Sequence, residues 1–126
     1  MLSVARYGTR DIERAKVFYD GIAQLLGAKR IVDRLEVIGY KGPDGGMFLI
    51  GKPLAGEATV GNGTQMGFAA PSRAVVDAVH AKALELGGKC EGPPGIRGSD
   101  PNGFYGAYFR DPDGNKLLVS RFGPPD

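Results

Sequence analysis

The tetrapeptide Leu26-Gly27-Ala28-Lys29 returns sixty residues later as Leu86-Gly87-Gly88-Lys89, each time closing a helical stretch and opening an extended one. A repeat this long, holding one helix and several strands, is a duplicated supersecondary unit and not a solenoid of many copies. The 126 residues therefore read as a single domain, 1–126, with module one at about 1–60 and module two at about 61–126. That length is enough to bury roughly two-thirds of the unfolded surface around one core.

In the first module Leu2 to Thr9 reads as a strand and Thr9-Arg10-Asp11 as a helix cap. Ile12, Ala15, Phe18 or Tyr19, Ile22 and Leu25-Leu26 then recur at helical spacing. Gly27 supplies the stop, at a position where a left-handed residue costs least. Extended segments follow at about Ala28 to Arg34, Leu35 to Lys41 and Gly46 to Gly51. The pattern restarts with a strand over Gln65 to Ala70, a cap at Ser72, and a stripe of Val75, Val79, Ala83 and Leu86 ended by Gly87-Gly88. Extended pieces close the chain near Lys89 to Glu91, Phe104 to Arg110 and Lys116 to Phe122. The fold class expected is α+β. Two βαβββ modules form a curved, half-barrel mixed sheet, with the helices on its convex face and the concave face left for a ligand.

Composition excludes several functions. The net charge is only +2 and the basic residues are scattered, so nucleic acid is not an expected partner. No apolar run approaches the ~18 residues of a membrane span, and the N-terminus has no charged-then-apolar signal layout. Cys90 is the one cysteine, which forbids an internal disulfide and suggests the cytoplasm. It reads as a small residue at a strand start, in a different element from His80, the only histidine. Twenty-one glycines and nine prolines cluster between the elements. Among these clusters, Glu91 to Gly103 has the length of a functional lid. Gly42 to Gly46 and Pro53 to Gly63 lack the strand-to-helix setting of a nucleotide loop.

Three local motifs carry a family resemblance. They are Gly8-Thr9-Arg10-Asp11-Ile12-Glu13-Arg14-Ala15 with Phe18-Tyr19-Asp20; the stretch from Gly67-Phe68 through Pro71-Ser72 to Asp77-Ala78; and Gly103-Phe104-Tyr105-Gly106-Ala107-Tyr108 leading into Arg110-Asp111-Pro112-Asp113-Gly114-Asn115-Lys116. In this order and spacing they resemble the vicinal-oxygen-chelate superfamily, which holds glyoxalases, bleomycin-resistance proteins and ring-cleaving dioxygenases. The resemblance implies a homodimer, and in catalytic members a divalent metal held by His and Glu. Here the corresponding positions are Val4, Gln65 and Leu118, and the fourth falls in the apolar run Met47 to Ile50. A catalytic zinc site takes about three imidazole or anionic ligands, which these residues do not supply. The expectation is no metal and no other cofactor. His80 is expected half-exposed on the flank of the second helix, outside the concave face.

If Val4 faces the cavity, alternation places Arg6 beside it, with Gln65, Leu118, Ser120 and Lys116 on the second module's inner face. Phe48 and Tyr105, with Tyr40 and Tyr108, are candidate aromatic walls, although only one of Phe104 and Tyr105 can face inward. The expected ligand site is thus Arg6, Gln65, Tyr105, Ser120, Phe48 and Leu118, and the expected partner a small aromatic or anionic molecule. Arg6 has a second reading, as the structural partner of Asp100 or Asp111. The function expected is metal-free small-molecule binding. The alternative is a glyoxalase-type lyase or isomerase with non-standard metal ligands or a metal-independent mechanism. A third reading is an interaction module whose sheet mainly makes a dimer. A slightly basic chain with an arginine in the pocket disfavours a cationic drug as ligand.

Overall fold

A computed structural model describes the whole chain, residues 1–126. The first module comprises β1 (Val4–Gly8), α1 (Ile12–Leu25), β2 (Lys29–Asp33), β3 (Val37–Lys41) and β4 (Met47–Gly51). The second comprises β5 (Met66–Ala69), α2 (Arg73–Glu85), β6 (Lys89–Arg97), β7 (Phe104–Arg110) and β8 (Lys116–Phe122). Each module builds its own open four-stranded sheet, ordered β1-β4-β3-β2 and β5-β8-β7-β6. The first and last strands of each module run parallel, and the other neighbours are antiparallel. The architecture is the expected pair of half-barrel βαβββ modules, with one refinement. No strand pairing joins the two sheets, so the edges of β1 and β5 are both free.

The helix ends follow from local chemistry. Asp11 caps α1 by accepting from the Arg14 amide at 3.0 Å, and Ser72 caps α2 by accepting from Val75 at 3.2 Å. After the helices, Gly27 and Gly87 sit at φ 68° and 97°, in the left-handed region where glycine carries no steric penalty. The following strands begin at Lys29 and Lys89, which reproduces the spacing of the repeat. The stripe of α2 is rotated from its expected position. Val76, Val79, His80 and Ala83 are buried while Val75 is only partly so, because α2 must face both its own sheet and α1.

One core serves both modules. Phe18 and Ile22 of α1, Ile38 and Ile50 of sheet one, and Phe109 and Leu117 of sheet two belong to a single cluster of 18 buried residues. Fully burying each such side chain contributes about 1.5–3 kcal/mol. The helices meet closely at Gly21, where a Cβ would stand 2.6 Å from Leu86 Cδ1.

The closing turn clasps the start of the chain. The Asp111 carboxylate accepts from the amides of Asp113 and Asn115, from Asn115 Nδ2 and from the Tyr19 hydroxyl. Asp113 accepts from Thr9 Oγ1, from the Arg10 amide at 3.0 Å and from Arg14 at 2.9 Å. Two of the motifs that carried the resemblance are therefore halves of one structural joint between modules.

The lid expected over Glu91 to Gly103 is largely absent. β6 continues to Arg97 as an edge strand, with irregular register around Gly92. An edge position needs no inward amide from Pro93 or Pro94, so prolines do not end the strand there. Only the turn from Gly98 to Gly103 remains outside regular structure. No helix is long and apolar enough to cross a membrane.

Candidate functional site

Strand register sorts each sheet into two faces. Tyr7, Ile38, Tyr40, Phe48 and Ile50 of sheet one, and Ala107, Phe109, Leu117 and Val119 of sheet two, pack toward the helices and are buried. By alternation the helix-free face of sheet one carries Val4, Arg6, Lys41, Met47 and Leu49. The helix-free face of sheet two carries Leu118 opposite Gly67 and Tyr108, and Ser120 opposite Ala69 and Gly106.

The expected site residues fall into three groups. Arg6 lies on sheet one, exposed, and donates from a terminal nitrogen to the Lys52 carbonyl at 2.6 Å. Its guanidinium rests over Gly51, where a Cβ would come within 3.0 Å of it. It pairs with neither Asp100 nor Asp111, and Asp111 is engaged by Tyr19 and Asn115 instead. Gln65, exposed just before β5, joins Leu118 and Ser120 on sheet two.

Phe48 and Tyr105 form the third group, on the opposite, helix-facing sides of their sheets. Phe48 is only 8% exposed and packs against Tyr19 and Phe68, with ring centroids 4.8 and 5.3 Å away. Tyr105 donates its hydroxyl to Asp77 of α2 at 2.6 Å, under the Arg73 guanidinium. That hydrogen bond, with some burial, raises its pKa above the ordinary tyrosine value. The reason is parity. Tyr105 pairs with Arg121 and Ile96, so its even-numbered neighbours Phe104, Gly106 and Tyr108 take the helix-free face.

A cleft of about 500 Å³ opens on the helix side of the sheets, between the start of β1, the β3–β4 turn, the second half of α1, and β5. Its lining is mainly apolar, including Val4, Ile22, Met47, Met66 and Phe68, and Phe48 reaches it from the core.

The side chains at the superfamily's metal positions do not fit a divalent ion. Val4 and Leu118 have no donor atom, and Gln65 has one neutral amide oxygen. Nowhere does the chain gather three His, Cys, Asp or Glu side chains close enough to hold one ion.

One contact escaped the sequence reading. His80 is 7% exposed, not half-exposed, and its Nε2 lies 3.2 Å from Cys90 Sγ. Burial lowers the His80 pKa below its ordinary value, against the opposing charge of Asp77. The available signal was the ten-residue separation across the helix-to-strand turn, which lets α2 lay position 80 over the start of β6.

Residues 2–119 match the model of the Glyoxalase/Bleomycin resistance protein/Dioxygenase superfamily. The fold is similar to a glyoxalase/bleomycin resistance protein from Albidiferax ferrireducens T118, with 41% identity over 96% of this chain and 98% of that one and a TM-score of 0.87. A glyoxalase/bleomycin resistance protein/dioxygenase family enzyme from Burkholderia phytofirmans PsJN shares 17% identity over 95% and 97% of the chains, TM-score 0.70. A lactoylglutathione lyase from Agrobacterium tumefaciens shares 22% over 96% and 92%, TM-score 0.63, which is likeness of fold alone. No protein of curated function matches the sequence significantly.

Proposed function

This chain belongs to the glyoxalase/bleomycin resistance protein/dioxygenase superfamily, and from that premise we propose that it binds a small organic molecule on the helix-free faces of its sheets without a divalent metal. The observation that carries this reading is the chemistry at Val4, Gln65 and Leu118, which offer apolar surface and one amide in place of metal ligands. Such a floor, with Arg6 and Ser120 at its margins, suits an apolar body bearing a polar or anionic group.

A second copy of the chain completes the binding face in this reading. The edges of β1 and β5 are free, Leu2 and Val4 are exposed at the start of β1, and the apolar cleft lies between the two edges. A symmetric dimer across them would satisfy unpaired backbone groups and cover apolar surface. A lone cysteine suits the reducing cytoplasm.

Two measurements test the proposal. Elemental analysis of protein dialysed without chelator is expected to find no stoichiometric metal. One zinc, nickel or manganese per chain would overturn the metal-free reading and favour a glyoxalase-type lyase or isomerase. Light scattering at micromolar concentration is expected to give twice the 13.3 kDa of one chain, and a monomer mass would remove the shared site.

A further inference from the structure

The helix-free face of sheet two holds two half-buried cations around one aromatic ring. The Arg97 guanidinium carbon lies 5.5 Å from the Tyr108 ring centroid, and Lys116 Nζ lies 5.4 Å from it. Neither cation has an ion-pair partner. The carboxylate of nearby Glu91 is held by Arg110 Nε at 2.7 Å. A cation lodged against a ring face is attracted to it, but the ring does not satisfy its remaining N–H groups.

Arg97 is also held in place before any ligand arrives. One terminal nitrogen donates to the Pro93 carbonyl at 2.7 Å. The guanidinium then lies across two glycines: a Cβ at Gly92 or at Gly95 would come within 3.2 Å of it. Either side chain would make the guanidinium shift by a few tenths of an ångström, and the glycines leave room for it beside Tyr108. A guanidinium fixed flat, with N–H groups still free, loses little entropy when it forks onto two oxygens. Opposite Tyr108 stands Leu118, which supplies apolar surface next to the charge.

We infer that Arg97 and Lys116, flanking Tyr108, bind the oxoanion of the ligand, a carboxylate or phosphate ester carried on a flat apolar body. The assignment rests on the small-molecule reading above and narrows it to organic anions. It also moves the main anion contact from Arg6 of sheet one to sheet two.

The test is calorimetry with four probes: benzoate, phenyl phosphate, neutral benzamide and cationic benzylamine. Expected is binding of one or both anions, with benzamide at least about tenfold weaker and benzylamine weaker still. The stronger of the two anions separates a carboxylate ligand from a phosphate ester. Arg97→Gln and Lys116→Gln should each weaken the anion by about ten- to a hundredfold, the range for hydrogen bonds to charged groups. Arg97→Lys should restore part of the loss, and the melting temperature of each variant checks that it folds. Benzamide binding as tightly as benzoate, with both Gln variants unchanged, would overturn the anion assignment and leave small-molecule binding standing. Anion binding lost only in Arg6→Gln would also overturn it, in favour of sheet one. Failure of all four probes to bind would sink both this assignment and the reading beneath it.

Discussion

Tyr19, in the middle of α1, donates its hydroxyl to Asp111 in the last turn of the chain, and both residues are buried. Burial, then the neighbouring carboxylate, holds the Tyr19 pKa well above the ordinary tyrosine value, so the phenol stays a donor at any working pH. Burial also raises the Asp111 pKa, and the bonds from Tyr19 and Asn115 only partly offset it. Removing the hydroxyl strips a donor from a buried acceptor. Tyr19→Phe is expected to cost about 1–3 kcal/mol in urea unfolding. A loss under about 0.5 kcal/mol would mean the contact contributes nothing net.

A buried histidine should leave a mark on acid stability. An unfolded histidine titrates near about 6.5, and burial holds folded His80 below its ordinary value. The unfolded chain therefore takes up this proton first as pH falls. The contribution is complete above the unfolded value and is lost as pH drops from there through the folded value. Melting curves at pH 7.5 and 5.5 should show a larger drop for the natural chain than for His80→Gln. Equal drops would show that this histidine does not report on folding.

Arg6 leans on a carbonyl and not on a carboxylate. Its removal strands no buried charge, so Arg6→Ala is expected to change stability by only about 0.5 kcal/mol, as for an ordinary surface position. A loss above about 2 kcal/mol would point to an internal ion pair that forms in solution.

The repeat differs at one small position. Module one has Ala28 where module two has Gly88, and a Cβ at Gly88 would stand 2.6 Å from the Arg110 carbonyl oxygen and 2.8 Å from that of Ala83. These are backbone atoms that cannot swing aside. Gly88→Ala is expected to destabilise by about 1–3 kcal/mol through overpacking. A thermal unfolding curve that overlays the natural one would refute the close approach.

The two modules, their caps and their stops were legible because each rests on local chemistry. Asp11, Ser72, Gly27 and Gly87 act through groups within a few residues. What was not legible depends on parity and on distant partners. Phe104-Tyr105 and Tyr108-Phe109 each put an aromatic on both faces, so alternation offered two answers and packing against α2 chose between them. Phe48 reads as a wall of the concave face but faces α1 and lines the cleft from the core, because its neighbours Met47 and Leu49 take the other side. The strand through Pro93-Pro94 reads as a loop until its place at the sheet edge is known. The same holds for His80 and Cys90, which meet only because α2 packs on β6.

The clasp has a consequence for how the protein is made. Its bonds join residues 92 to 104 positions apart, so partners synthesised near the beginning wait for partners synthesised near the end. Contacts of such long sequence separation form late and at high entropic cost. A nascent chain that stops before Asp111 holds α1 with the Tyr19 hydroxyl lacking its acceptor and with the core still without Leu117 and Val119. The duplicated module is a unit of sequence and of architecture, yet the clasp between its two copies closes only once residues 111 to 113 have been made.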